Sequence, residues 1–353
     1  GTDPAAAGMA NPGAASMINK VMLKRWLGEL PLAPEIYWQV RQQGKPLSKS
    51  FSLQRLQKHL PRWKEQAALA RARLPDQANG CRSGKRVAVF TTLRYWIEHG
   101  ALVCTALAGL GHRVSMGFLP FANWQKPINR FDLRRQNAYA RHILGETAPL
   151  YQAVSLLDIK PCSSQLPPAL LQSIAEISRR DVQYTLQVED IEPEEALYHL
   201  RWERNLQAAA TAYAWLGGEE PALRPDVLLT PNGSILEMGA VYQAAQALNI
   251  PVVTYEFGEQ RGRIWLSLNS EVMFQNTDEM WWVRRQTPLN DAQWQQIRSL
   301  YESRQNARLW ENFGRLWQGV PGQGGEQTRH ALGLDSRPIV LLPANVIGDS
   351  LTL

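Results

Sequence analysis

Long apolar runs, paired cysteines and cofactor signatures are all missing from this 353-residue sequence. No stretch reaches the roughly 18 consecutive apolar residues that a membrane-spanning helix needs. Cysteine occurs only at Cys81, Cys104 and Cys162. An odd number without metal-type spacing reads as reduced thiols in a cytoplasmic protein, not as a disulfide framework. There is no GxxxxGK[ST] loop and no GxGxxG after a strand, which argues against an NTPase and a dinucleotide oxidoreductase. The absence of a GxSxG elbow and of a Cys-His pattern argues against a serine hydrolase and a cysteine nucleophile. No zinc signature is present, so no metal and no cofactor is expected. Nucleic acid is not an expected partner, since no helix-turn-helix, RNA-recognition or zinc-finger pattern occurs. Residues 1–16 are rich in Ala, Gly and Pro, without a basic region or an apolar core. They read as a disordered tail or a cloning scar and not as a signal peptide.

What is present is ordinary globular composition, 44% hydrophobic and 20% charged, with an uneven net charge of +6. Between Met17 and Pro75 there are 12 Lys and Arg against Glu29, Glu35 and Glu65, a local net of +9. Trp26, Trp38 and Trp63 are interleaved with these charges. Two readings stand side by side. One is a patch for an anionic membrane surface or a phosphate-bearing partner. The other is a solvated helical collar whose tryptophans pack on the body. The second is favoured, because the segment shows no clean apolar face of the kind an interfacial helix has.

The chain divides into residues 17–84, a basic helical extension and linker, and 85–325, an α/β domain with helical additions. Arg86–Thr92 is apolar and β-branched and reads as a strand buried on both faces. A helix over His99–Leu110, stopped at Gly111, and a strand over Arg113–Leu119 complete one βαβ unit of about 34 residues. Helices are expected over Asp132–Leu144, Pro168–Arg180 and Pro193–Leu216, the last capped by Asp190 or Glu192. Leu150–Leu157 reads as a third strand. A second βαβ unit runs from Asp226–Thr230, through a Pro231–Ser234 turn and a helix over Ile235–Leu248 capped by Ser234, to Val252–Glu256. Asn276–Gln318 is mainly helical and Val320–Gly325 a linker. Pro338–Leu342 reads as a buried strand. The expected fold is therefore α/β, a doubly wound parallel Rossmann-like sheet.

In such a sheet, ligands bind at the carboxyl ends of the strands, where the strand order reverses. The loops leaving those ends are Thr91–Gly100, Thr230–Ser234 and Glu256–Arg263. They supply Thr92, Arg94, Glu98, His99, Asn232, Gly233, Glu256, Arg261 and Arg263. Carboxylates, a histidine, an amide and arginines are suited to deprotonating a hydroxyl and holding an anionic group. Each also has a plainer reading: Glu98 and His99 in a first helical turn, Asn232-Gly233 as a turn dipeptide, the arginines as surface charges.

His99-Gly-Ala-Leu-Val-Cys-Thr-Ala-Leu-Ala-Gly-Leu-Gly-His-Arg-Val114 resembles the first helix of GT-B glycosyltransferases, which ends in a Gly-His pair before the second strand. Asp226-Val-Leu-Leu-Thr-Pro-Asn-Gly233, followed by Ala244–Glu256, resembles more specifically the bacterial capsule-polysaccharide biosynthesis proteins of that class. Leu332–Leu353 is similar to the opening of their second Rossmann domain. The resemblance covers roughly Lys85 to Leu353. It implies an amino-terminal acceptor domain here, residues 326–353 beginning a truncated donor domain, and partners that are a nucleotide-sugar donor and a glycan or lipid-linked glycan acceptor. It implies Glu98 or His99 as base, with Asn232 and Glu256 on sugar hydroxyls. Arg261 and Arg263 would meet an anionic acceptor, and Asn345 and Asp349 would line the cleft wall. The implied place is the cytoplasm, peripheral at the inner membrane. A non-catalytic binding or assembly module of a polysaccharide export system and a nucleotide-sugar epimerase remain as alternatives.

Overall fold

The computed structural model describes residues 22–42, 51–74, 84–161, 166–192, 194–218, 224–258, 262–274, 276–308, 321–340 and 342. It is an α/β structure with one six-stranded, mostly parallel sheet of Rossmann-like form. The strands are β1 (Arg86–Thr92), β2 (Arg113–Leu119), β3 (Gln152–Ser155), β4 (Val227–Pro231), β5 (Val252–Phe257) and β6 (Ile264–Leu268), in the order β3-β2-β1-β4-β5-β6. The first five are parallel and β6 is antiparallel to β5, with Tyr255 opposite Leu266 and Glu256 opposite Trp265.

The strands are apolar because both faces are covered. On one face Val87, Val89, Met116 and Phe118 meet Ile97, Ala101, Cys104, Tyr139 and Ile143, together with Trp38, Leu56 and Leu60. Those residues come from α1 (Ala33–Gln42), α2 (Gln54–Ala72), α3 (Arg94–Gly109) and α4 (Arg130–Gly145). On the other face Ala88, Phe90, Leu119, Leu228 and Val252 meet Ile174, Ala208, Ala212, Ala240 and Val241. These belong to α5 (Pro168–Leu186), α6 (Ala196–Gly217) and α7 (Leu236–Ala247). Alternate residues of β1 thus feed two separate cores, as a period of two requires.

Several boundaries differ from expectation for identifiable reasons. The helix after β1 starts at Arg94 and not at His99, because Leu93 turns the chain in one residue with φ +60°. α5 continues to Leu186, stopped by Gln187 in the left-handed region. α6 is capped by the Glu195 carboxylate, which accepts from the Leu197 N–H, and not by Asp190 or Glu192. Ser234 does not cap α7, since its hydroxyl is buried without a partner among the described residues. The strand expected over Pro338–Leu342 is not formed by its described residues, and Val340 is 93% exposed. An apolar run becomes a strand only where another strand supplies ladder partners.

The basic amino-terminal segment forms an outer helical layer on α3 and α4. Trp38 is buried against Tyr139 and His142, and Arg134 ties the layer down. Its guanidinium donates to both Glu35 oxygens at 2.8 and 2.7 Å and to the Gly28 and Leu30 carbonyls. The tryptophans do not all pack inward as expected, for Trp26 is 61% exposed. Among the described residues, no helix is long and apolar enough to cross a membrane.

Candidate functional site

The chain runs outward from β1 to β2 and β3, then returns to place β4 on the other side of β1. Strand order therefore reverses between β1 and β4, and the carboxyl ends of these strands are where ligands bind in open α/β sheets. Gly100 brings α3 directly onto β1 there. A Cβ at this position would lie 2.3 Å from the Thr91 Cγ2. The close approach holds the preceding turn of α3, with Trp96 and His99, over the strand ends.

Trp96 stacks on Phe257 with ring centroids 4.8 Å apart and planes 4° from parallel. Tyr255 meets the Trp96 ring edge-on at 5.7 Å. His99 sits among them, 4.8 Å from the Phe257 ring and 5.3 Å from that of Tyr255. Its Nδ1 lies 3.3 Å from the Tyr255 hydroxyl. Burial lowers the His99 pKa and raises that of Tyr255, so a neutral imidazole faces a protonated phenol near pH 7. The imidazole tautomer decides which of the two donates.

The turn after β4 lies beside this group. Asn232 and Gly233 take φ of +57° and +88°, and a Cβ on Gly233 would meet the Thr254 Cγ2 at 2.6 Å. The Asn232 N–H donates to the Tyr255 carbonyl at 2.8 Å, locking the turn to β5. Its side-chain oxygen accepts from the Ser234 N–H at 2.9 Å, and its amide nitrogen donates to Glu256 at 3.3 Å. The other Glu256 oxygen accepts from the Phe257 N–H at 3.0 Å. Burial raises the Glu256 pKa, outweighing these two hydrogen bonds. The nearby Tyr95 is raised as well, first by burial and then by the Glu256 charge.

Of the residues singled out from the sequence, His99, Asn232, Gly233 and Glu256 are brought together around Tyr255. Glu98 is not. It reaches the amino-terminal end of α2, where burial raises its pKa, outweighing the Arg55 and Arg94 charges and the Leu56 N–H. α2 has no side-chain cap on its own N-cap residue, Leu53, so Glu98 supplies a distant acceptor for that helix end. Thr92 closes β1, fully buried, its hydroxyl without a partner among the described residues. Arg94 begins α3 on the surface. Arg263 is exposed and serves through its backbone, accepting from the Gly258 N–H to close the β5–β6 hairpin. Arg261, Asn345 and Asp349 lie outside the described residues.

Two features escaped sequence reading. The first is the aromatic set Trp96, Tyr255 and Phe257, for which the only signal was Trp96 three residues before His99. The second is a buried charged centre under the same end of the sheet. Arg201 is 0% exposed, with Nε 3.0 Å from Asp181 and its guanidinium over the Trp124 ring at 5.2 Å. Arg204 donates to the Asn123 and Lys126 carbonyls. Glu237 is 1% exposed and its charge is felt by Asp181 and Arg204. Charges on the inner face of α6 are visible in sequence only as breaks in its alanine-rich pattern. Among the described residues, no group of three or more His, Cys, Asp or Glu is placed to hold a metal ion.

No family model, curated protein or solved structure matches this chain.

Proposed function

We propose that this chain is the acceptor-binding part of a metal-independent glycosyltransferase that moves a sugar from a nucleotide donor to a polysaccharide acceptor. The reading takes the sheet as the doubly wound amino-terminal domain of a GT-B enzyme. The observation that carries it is the placement of His99, Asn232 and Glu256 beside the partly exposed Phe257 at the strand reversal. Aromatic faces pack on the apolar faces of sugar rings, while amide and carboxyl groups take their hydroxyls.

In this reading His99 is the base. With Nδ1–H donated to the Tyr255 oxygen, Nε2 presents its lone pair to an acceptor hydroxyl. The hydroxyl proton moves to Nε2 as the oxygen bonds to the anomeric carbon, and the bond from that carbon to the donor phosphate breaks with its electrons. A neutral imidazole is required, and burial keeps it neutral. Glu256 orients a sugar hydroxyl and Asn232 orients Glu256. Glu98 is left out of the chemistry, because its carboxylate serves α2.

The test is binding first, then transfer. Oligosaccharide acceptors titrated into the 353-residue chain should broaden His99 and Trp96 resonances. His99→Gln in the parent enzyme should lower sugar transfer by about 10²-fold or more, a usual contribution of a general base. Undiminished transfer would remove His99 from the role. Interconversion of the nucleotide sugar without acceptor would favour an epimerase instead.

A further inference from the structure

The outer face of the amino-terminal helical layer combines exposed aliphatic side chains with an excess of positive charge. α1 buries Trp38 inward. Ile36 and Val40 lie two residues to either side of it, about 200° around the helix, and are 55% and 66% exposed. Met22, Leu23, Trp26 and Leu32, in the segment leading into α1, are exposed as well. α2 turns Leu56, Leu60 and Ala67 inward onto the same core. The same half-turn offset puts Lys58, Arg62 and Leu69 outward, and all three are exposed.

The charge on this surface is more one-sided than the count of residues implies. Glu29 and Glu35 pair with Arg130 and Arg134 of α4, so two of the segment's three acids are neutralised from beneath. Arg25, Arg41, Arg71 and Arg73 are exposed on the same segment. An open groove between Arg71 and Leu150, floored by Ala68 and Ala72, continues the mixture.

We infer that this surface docks in the plane of an anionic lipid bilayer. Tryptophan and aliphatic side chains suit the boundary between headgroups and acyl chains, and lysine and arginine suit the phosphates above it. A nucleic acid would use the bases but not the aliphatic row. The inference is independent of the reaction proposed above.

The experiment is flotation of the full 353-residue chain with vesicles of phosphatidylcholine containing phosphatidylglycerol, and with phosphatidylcholine alone. The chain should float with the anionic vesicles, release at high salt and stay down with the neutral ones. Lys58→Glu/Arg62→Glu should weaken binding about tenfold or more. Ile36→Glu/Val40→Glu should abolish it, with circular dichroism unchanged because all four positions are exposed. A second readout needs no variant: brominated acyl chains should quench tryptophan fluorescence in the wild-type chain. Absence of flotation, absence of quenching, or flotation untouched by both pairs of substitutions would overturn the inference. So would self-association in sedimentation that Ile36→Glu/Val40→Glu removes while vesicles are ignored, which would make the face an interface between copies.

Discussion

Glu98 and His99 are neighbours in sequence yet serve different surfaces, because successive helical residues point about 100° apart. Glu98→Ala should cost about 1 kcal/mol in denaturant unfolding, the value of a lost helix cap, and leave glycan binding unchanged. A loss of binding with unchanged stability would return Glu98 to the site. His99 carries the opposite expectation. Its folded pKa is lowered by burial, so below the ordinary value of 6.5 the unfolded chain takes up the proton first. Stability from this residue is therefore present above pH 6.5 and lost as pH falls below it. Replacing His99 by Gln should flatten that acid limb. At Gly233 the constraint is steric as well as conformational. Gly233→Ala should destabilise by about 2 kcal/mol, since it adds a strained φ and a contact with Thr254. A neutral effect would show that the turn re-forms elsewhere.

At the scale of elements, both βαβ units were legible, because buried parallel strands are continuous apolar runs bounded by turn residues. Arg86–Thr92 and Val252–Phe257 show this plainly. β6 was not legible. Its apolar Ile264, Leu266 and Leu268 face solvent while Trp265 and Ser267 are half-buried, the reverse of the usual pattern. The start of α3 was hidden for another reason: Leu93 is not a capping residue, and its left-handed φ leaves no compositional mark. The apolar run at 338–342 showed the opposite failure, a strand-like composition with no partner strand among the described residues. In the site, the polar residues could be read from loop positions, but the aromatic set could not, since it depends on α3 lying against β5. The attachment of the amino-terminal layer is testable in the same terms. Arg134 makes four hydrogen bonds to it. Arg134→Met should raise amide exchange across residues 22–42 and leave the sheet protected. Equal exchange in both variants would mean that Trp38 and its neighbours hold the layer alone.

Across the whole molecule, the two faces of the sheet differ in what they bury. One is sealed by apolar side chains, and the other encloses Asp181, Arg201, Arg204 and Glu237 between α5, α6 and α7. Burial outweighs the Arg201 charge at Asp181 and pushes its pKa from 3.8 up to about 7. Glu237 is raised by the same cause, and Glu256 likewise. Each of these carboxyls binds its proton more tightly in the folded chain than in the unfolded one. Between the ordinary carboxylate range and about pH 7 the folded state then holds more protons, and stability falls as pH rises. Asp132 and Asp226 are shifted down, so their contribution is lost only as pH falls below their ordinary 3.8. Burial raises Glu98 as well, so His99 opposes the trend below 6.5 as one group against four. The melting temperature is thus expected to be highest at mildly acidic pH and to decline toward pH 7 and above. Asp181→Asn keeps an acceptor for the Leu236 N–H but removes the titration. It should flatten most of that decline and lower stability above pH 7, because it leaves the fully buried Arg201 guanidinium without its Asp181 partner. A wild-type melting temperature that climbs steadily from pH 5 to 8, or an Asn variant that keeps the wild-type slope, would show that Arg201 holds Asp181 ionised throughout.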